Sequence, residues 1–272
     1  MDGDPPVLQT PERLQDLAAW ALHDLRAPLR AFDATLEMLD AGGGNPQALA
    51  IAARAARRMG ATLDGLARYA EHHASPLQIG PVQPLEAVEA AWAAAAATWE
   101  DAAEGAGDAQ ADAAADEPGD APTLRARSAA ASHAARGRPA ATLETAPALA
   151  HAPPCLADAG ALQAILSAVF DNAARYGRAP HGAARVRVEA GARDGMLRLL
   201  VRDDGPGVPR HLAGDAFEPL RRLVARSEVE GAGLGLAVAR LLAVRQNGRI
   251  DFIAAPRGAC ISLKLPLFIS PT

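Results

Sequence analysis

Apolar positions in the first quarter of the chain recur in steps of three and four. Leu22, Leu25, Leu29, Phe32, Leu36 and Leu39 form one series, the heptad spacing that draws a continuous seam along one helix face. Thr10, Pro11 and Glu12 supply its start, a hydroxyl that caps free N–H groups and a proline at the first helical position. Gly42, Gly43 and Gly44 stop it. Asn45 and Pro46 repeat the start signal, and Leu49, Ala56, Met59, Leu63, Leu66 and Ala70 keep helical spacing up to His72 and His73. Two antiparallel helices cannot cover both seams alone, but two hairpins bury them together as a four-helix bundle. A homodimer is the expectation.

The pattern then changes. Residues 75–84 hold Pro81, Pro84 and Gly80 and read as a linker. A helix is predicted from Leu85 to about Trp99, after which residues 102–139 are mostly Ala, Gly, Asp, Glu and Pro with almost no large apolar side chain, the composition of a disordered insertion. Beyond it come a weak strand, ATLETA, a short strand at 154–156 and an amphipathic helix over 159–176. Two alternating runs, 184–190 and 196–202, read as an antiparallel pair around a turn at 191–195. A helix over 233–246 and strands at 249–254 and 260–266 close the chain. The predicted architecture is a tail (1–10), an all-α hairpin (11–74), a linker (75–84) and an α/β sandwich (85–272).

Composition narrows the classes. Of 272 residues half are apolar, largely alanine, with 4% aromatic, so a helix-rich globular protein is expected. The 27 basic residues fall short of the 32 acidic ones and form no long cluster, which argues against a nucleic-acid partner. Cys155 and Cys260 lack metal-ligand spacing and form no disulfide framework, fitting a reducing cytosol. The acidic, proline-containing N-terminus does not read as a signal peptide, and no uninterrupted apolar run reaches the roughly 18 residues of a membrane span. A soluble, cytoplasmic protein is expected.

Five segments carry chemistry. His23 opens HDLRAPL inside the first helix, about 100° round from Leu22 and so near the solvent edge of the seam. Imidazole is a competent nucleophile near neutral pH. Pro28, five residues on, removes a helix hydrogen bond at about 3 kcal/mol, which points to a kink there. DNAARYG (171–177) lies toward the end of a helix, and DDGPG (203–207) follows a strand directly, its glycines permitting close backbone approach to a flat ligand. AFEPLRRL (216–223) is an amphipathic turn, and GAGLGL (231–236) opens a helix whose free N–H groups and dipole suit phosphate. Its place near the chain end and the lack of a Walker Lys-Ser/Thr pair exclude a dinucleotide fingerprint and a P-loop.

HDLRAPLR resembles the phospho-acceptor box of sensor histidine kinases, and the other four segments resemble, in family order, the asparagine, first glycine, phenylalanine and second glycine boxes of their ATP-binding domain. The resemblance covers about residues 12–100 and 140–268. It implies that His23 accepts phosphate with Asp24 accepting or orienting its proton. It implies Asn172 on Mg²⁺, Arg175 facing the phosphates, Tyr176 by the adenine and Asp203 accepting from the adenine amino group. Gly205, Gly207, Gly231, Gly233, Leu234 and Gly235 would line the nucleotide, Phe217 would anchor a lid over 221–230, and ATP and Mg²⁺ would be the ligands. Implied partners are a second copy, a response-regulator receiver domain and a separate sensory protein. The chain departs from the pattern at Ala27, where Thr or Asn supports phosphatase activity, at Ala168, where a second asparagine is frequent, and at Ala232, where Thr or Ser is common. The alternative reading is a histidine phosphotransfer or scaffold protein with little ATP use; an ATPase of the wider superfamily would not need the hairpin.

Overall fold

The computed structural model describes residues 11–40, 46–114, 141–176, 184–219 and 233–270. Helices α1 (Pro11–Asp40) and α2 (Pro46–Ala74) form the hairpin, and α1 runs on through Pro28. Its interior differs from the expected seam. Among the described side chains and glycines, those buried are Ala21, Pro28 and Thr35 on α1 and Ala48, Ala52, Ala55, Thr62, Gly65 and Tyr69 on α2. Leu22, Leu29, Leu36, Leu49 and Leu63, each one position further along than Ala21, Pro28, Thr35, Ala48 and Thr62, lie 45–60% exposed on the single chain. Small residues let the two backbones approach, and the hydroxyls of Thr35 and Thr62 reach the carbonyls of Ala31 (2.7 Å) and Arg58 (3.1 Å), so neither is buried unsatisfied.

The expected linker is partly a strand. Strand β1 (Gly80–Val82) pairs antiparallel with β3 (Cys155–Ala157), because two short extended segments bounded by prolines satisfy each other's amides. Helix α3 (Pro84–Ala114) also runs past Trp99 into the stretch predicted to be disordered, since an alanine-rich sequence keeps helical propensity without large apolar residues. The remainder of that stretch, 115–139, lies outside the described residues.

A five-stranded sheet follows in the order β2 (Ala141–Thr145), β4 (Ala184–Arg193), β5 (Met196–Asp203), β7 (Cys260–Pro266) and β6 (Arg249–Phe252). Only the β2–β4 pair is parallel. Register aligns apolar rows across it: Val188 opposes Val201 and Val201 opposes Ile261, while Leu199 faces Leu263. These side chains share one core with α3, the helix α5 (Ala159–Tyr176) and the helix α6 (Gly235–Arg245), completing a two-layer α/β sandwich. The short helix α4 (Pro147–Ala150), absent from the sequence reading, buries Leu149 in the same core.

Among the described residues the hairpin meets the sandwich around the end of α2. Leu66 and Tyr69 of α2 pack against the core. Arg245, the last residue of α6, donates to the carbonyls of His72 and of Ser75 (2.8 Å for the latter), capping the end of α2. Asp158 completes the junction: Oδ1 caps α5 through the Ala161 N–H (2.8 Å), and Oδ2 accepts from the Gln78 N–H (2.6 Å). Among the described residues no helix is long and apolar enough to cross a membrane.

Replacing Arg245 by Met keeps the aliphatic stem and removes the cap. Hydrogen exchange at the Ser75 and Gln78 amides is expected to accelerate about tenfold, while sheet amides such as Leu199 keep their protection.

Candidate functional site

The site forms where strand β5 ends. Asp203 is its last residue, and its Oδ1 accepts from the N–H of Gly205 and of Ala259, each at 3.0 Å. The Asp203 N–H in turn donates to the Ala259 carbonyl at 3.0 Å, so one residue is tied both to the turn that follows it and to the loop between β6 and β7. Glycines make the approach possible. A Cβ on Gly258, which has φ +68°, would lie 1.8 Å from the Asp203 carbonyl oxygen, and one on Gly207, φ +79°, would lie 2.7 Å from the Gly258 carbonyl oxygen.

Burial pushes the Asp203 carboxyl above the usual carboxylate range, opposed by the Ala259 and Gly205 amides and reinforced by the charge of Asp204. With Oδ1 used twice, Oδ2 has no partner among the described residues and stays open to a donor from outside. Asp204 instead faces the sheet, where Oδ1 accepts from the Arg185 N–H at 3.0 Å.

Helix α5 carries the second group. Its apolar face, including Leu162, Ile165, Val169 and Phe170, is buried, and Asn172 lies one turn beyond Ala168 on the flank beside α6. A Cβ on Gly235 would sit 3.8 Å from the Ala168 Cβ, so Ala168 is where the two helices touch and a longer side chain there would meet α6. Arg175 is exposed and Tyr176 half-buried on the last turn of α5. Helix α6 begins at Gly235, two residues later than predicted, because Gly233 adopts φ +70° and Leu234 becomes the buried N-cap without a side-chain cap. Its first amides therefore have no partner in the helix itself. Phe217 is buried and meets the Phe252 ring at 5.2 Å, and Glu218 faces Arg240 of α6 at 3.4 Å. The backbone of α1 carries His23 and Asp24. Gly231, Ala232 and the lid 221–230 lie outside the described residues. Sequence reading missed Gly258 and Ala259; the only trace was a glycine in the turn between two predicted strands, and its role follows from the pairing of Arg202 with Cys260.

Residues 157–269 match the family described as histidine kinase-, DNA gyrase B-, and HSP90-like ATPase. This part of the chain is an ATP-binding domain of that class. A segment of 103 residues is 39% identical to the sensor protein KdpD of Mycobacterium tuberculosis, covering 38% of this chain and 12% of that protein. A segment of 106 residues is 36% identical to the sensor histidine kinase component HK1 of the same organism, covering 39% of this chain and 60% of that one. The chain thus spans only part of the length of these relatives. The fold as a whole is similar to that of the Acinetobacter baumannii histidine kinase AdeS, with a TM-score of 0.55 and 17% identity over 90% of this chain and 98% of that one. Over the matched segments the chain is similar to sensor histidine kinases, and its matched domain is of the class they carry.

The residues present fit an adenine nucleotide: an open carboxylate oxygen on a glycine-lined floor suits an exocyclic amine above a flat ring, and the uncapped start of α6 suits phosphate. Mg²⁺ takes oxygen ligands and retains waters, and the Asn172 amide oxygen is of the type that would hold it.

Asp203→Asn separates fold from charge. An amide keeps an oxygen for Gly205 and Ala259 but carries no buried charge. Because the native carboxyl is raised, its ionisation destabilises the fold as pH climbs through the folded-state value. The variant is expected to melt at or above the wild-type temperature at pH 7, and the difference should shrink as pH falls and the native carboxyl is protonated; thermal melts of the ligand-free protein across pH check this.

Gly258→Ala should act oppositely. Its Cβ collides with backbone at a left-handed φ, and a loss of about 1–3 kcal/mol is expected in denaturant unfolding.

Proposed function

We propose that the protein is an ATP-dependent histidine kinase that phosphorylates its own His23 and passes the phosphoryl group to a response-regulator aspartate. The observation that carries this reading is the Asp203 carboxylate, whose Oδ1 is held by two backbone amides while Oδ2, without a partner among the described residues, is left to accept from the adenine amino group. An Asn at that place would present its NH₂ to another NH₂, a mismatch of two donors.

In the proposed reaction a ring nitrogen of His23 attacks the γ-phosphorus, an N–P bond forms, and the P–O bond to the leaving ADP breaks. Asp24 accepts the imidazole proton. Asn172 would hold Mg²⁺, which when bound offsets charge on the triphosphate. Arg175 lies near the phosphates, and Tyr176 packs by the adenine. The amides at the start of α6, following Gly231, Gly233 and Leu234, orient the phosphates, and Gly205, Gly207 and Gly258 let the backbone come close to the ring.

The exposed rows of Leu22, Leu29 and Leu36 on α1 and of Leu49 and Leu63 on α2 support a homodimer, because two copies bury together what one hairpin leaves in water. Use of ATP and of a receiver domain assigns the kinase core to the cytoplasm, with the signal delivered by a separate sensory protein or segment.

The test is incubation with γ-labelled ATP and Mg²⁺. Acid-labile, base-stable label is expected on the wild type. His23→Gln should abolish it, Asn172→Ala should lower it about a hundredfold or more, and Asp203→Asn should weaken nucleotide binding about 10- to 100-fold while leaving the fold intact. Absence of both label and nucleotide binding in the wild type would favour a phosphotransfer or scaffold protein, and label surviving in His23→Gln would place the acceptor elsewhere.

A further inference from the structure

Helix α5 presents two polar flanks offset by a single residue. Ala168 and Asn172, four apart, share the flank beside α6, where Gly235 approaches. Ser167 and Asp171, also four apart, share the flank beside α3. The second flank is fully engaged. Ser167 Oγ donates to the Ala91 carbonyl at 3.4 Å, and Trp99 Nε1–H donates to Asp171 Oδ1 at 2.7 Å. Beneath that bond the rings interlock: Trp92 meets Trp99 edge-on at 5.4 Å and 85°, and meets Phe170 of α5 at 5.2 Å and 75°.

Successive residues on a helix point about 100° apart, so a bond that fixes Asp171 also fixes the direction of Asn172. Rotation of the last turns of α5 by a few tens of degrees would carry the Asn172 amide away from α6. The apolar face supplies cohesion without direction, and Ala168 offers only a methyl toward Gly235. The Trp99–Asp171 bond is directional, half-buried and charge-assisted, properties suited to setting the angle.

We propose that Trp99 is a positioning residue for the metal step: by holding Asp171 against α3 it turns Asn172 toward the nucleotide. This rests on the reading of Asn172 as the Mg²⁺ contact. Trp99 acts through Asp171 and touches no ligand itself. Charge on Asp171 is not required by this role; an acceptor oxygen is.

Calorimetric binding of a non-hydrolysable ATP analogue to the full chain, in Mg²⁺ and in EDTA, separates the possibilities. Trp99→Phe keeps a ring and loses the donor, Asp171→Ala loses the acceptor, and Asp171→Asn keeps it. Trp99→Phe and Asp171→Ala are each expected to weaken binding in Mg²⁺ about tenfold and to leave binding in EDTA within about twofold, with the double variant no weaker than either single. Asp171→Asn should bind as the wild type. Equal losses in Mg²⁺ and EDTA would overturn the proposal, since general loosening moves both. So would additive losses, Asp171→Asn as weak as Asp171→Ala, or no loss at all. If Trp99→Phe fails to fold, the two Asp171 variants decide alone. A wild type that gains nothing from Mg²⁺ would overturn the reading of Asn172 and this one with it, whereas a Mg²⁺ gain that survives every variant overturns only the role of Trp99.

Discussion

A carboxylate withdrawn from water at the end of a strand must be given hydrogen-bond donors, and the nucleotide end of this domain is arranged around that need. Asp203 takes two amides on one oxygen, from the turn after β5 and from the loop between β6 and β7. Side chains at Gly207 or Gly258 would push those loops apart. The same bonds leave Oδ2 without a partner among the described residues, so the geometry that satisfies the charge would also supply the acceptor of the proposed nucleotide site. Its raised proton affinity records what the arrangement costs in the absence of a ligand, and an incoming donor would offset that.

The hairpin obeys a different constraint. Its two helices are close because alanine, threonine and proline line their mutual face, and that choice expels the leucines to the adjacent row. A helix row of small residues beside a row of large ones gives a tight interface within the chain and leaves a wider apolar row that the proposed dimer would cover. Burying five leucines left 45–60% exposed on each chain is a hydrophobic gain that the isolated hairpin cannot obtain.

Sequence periodicity located most elements, and for α5 and β7 the predicted ends coincide with the observed ones, since in both an apolar pattern is closed by an unambiguous break. It found the leucine row that one hairpin leaves exposed and missed the row of smaller residues, one position back, along which the two helices meet, because leucine outweighs alanine in any hydrophobic pattern even where alanine makes the closer contact. It stopped α3 near Trp99 because the residues beyond have nothing to bury, although alanine-rich chain stays helical on propensity alone. Strand β1 was read as linker because three residues between prolines carry no period; only their partner at Cys155–Ala157 defines them. Asp203 and its glycines were legible as a motif, whereas Gly258 and Ala259, more than fifty positions on, were not, because their role comes from the β5–β7 pairing. Trp99 and Asp171 likewise meet across 72 positions and leave no local trace.

Helix α6 joins these parts. It begins at the glycine loop and ends at Arg245, which grips the last carbonyls of α2, so one element of eleven residues, roughly 16 Å long, spans from the phosphate end of the site to the root of the hairpin. Along the way Arg240 reaches Glu218, next to the buried Phe217, and Gln246 bridges Asp158 and Leu242. A packed helix of this length moves as a unit, so a shift at Gly235 imposed by phosphate would be felt at Arg245 without any intermediate rearrangement. The junction it ends on combines polar bonds to carbonyls at the end of α2, which can be exchanged for water, with the apolar packing of Tyr69 and Leu66 against the core. That combination, a stiff connector with a fastening that is only partly polar, ties the start of α6 to the root of the hairpin.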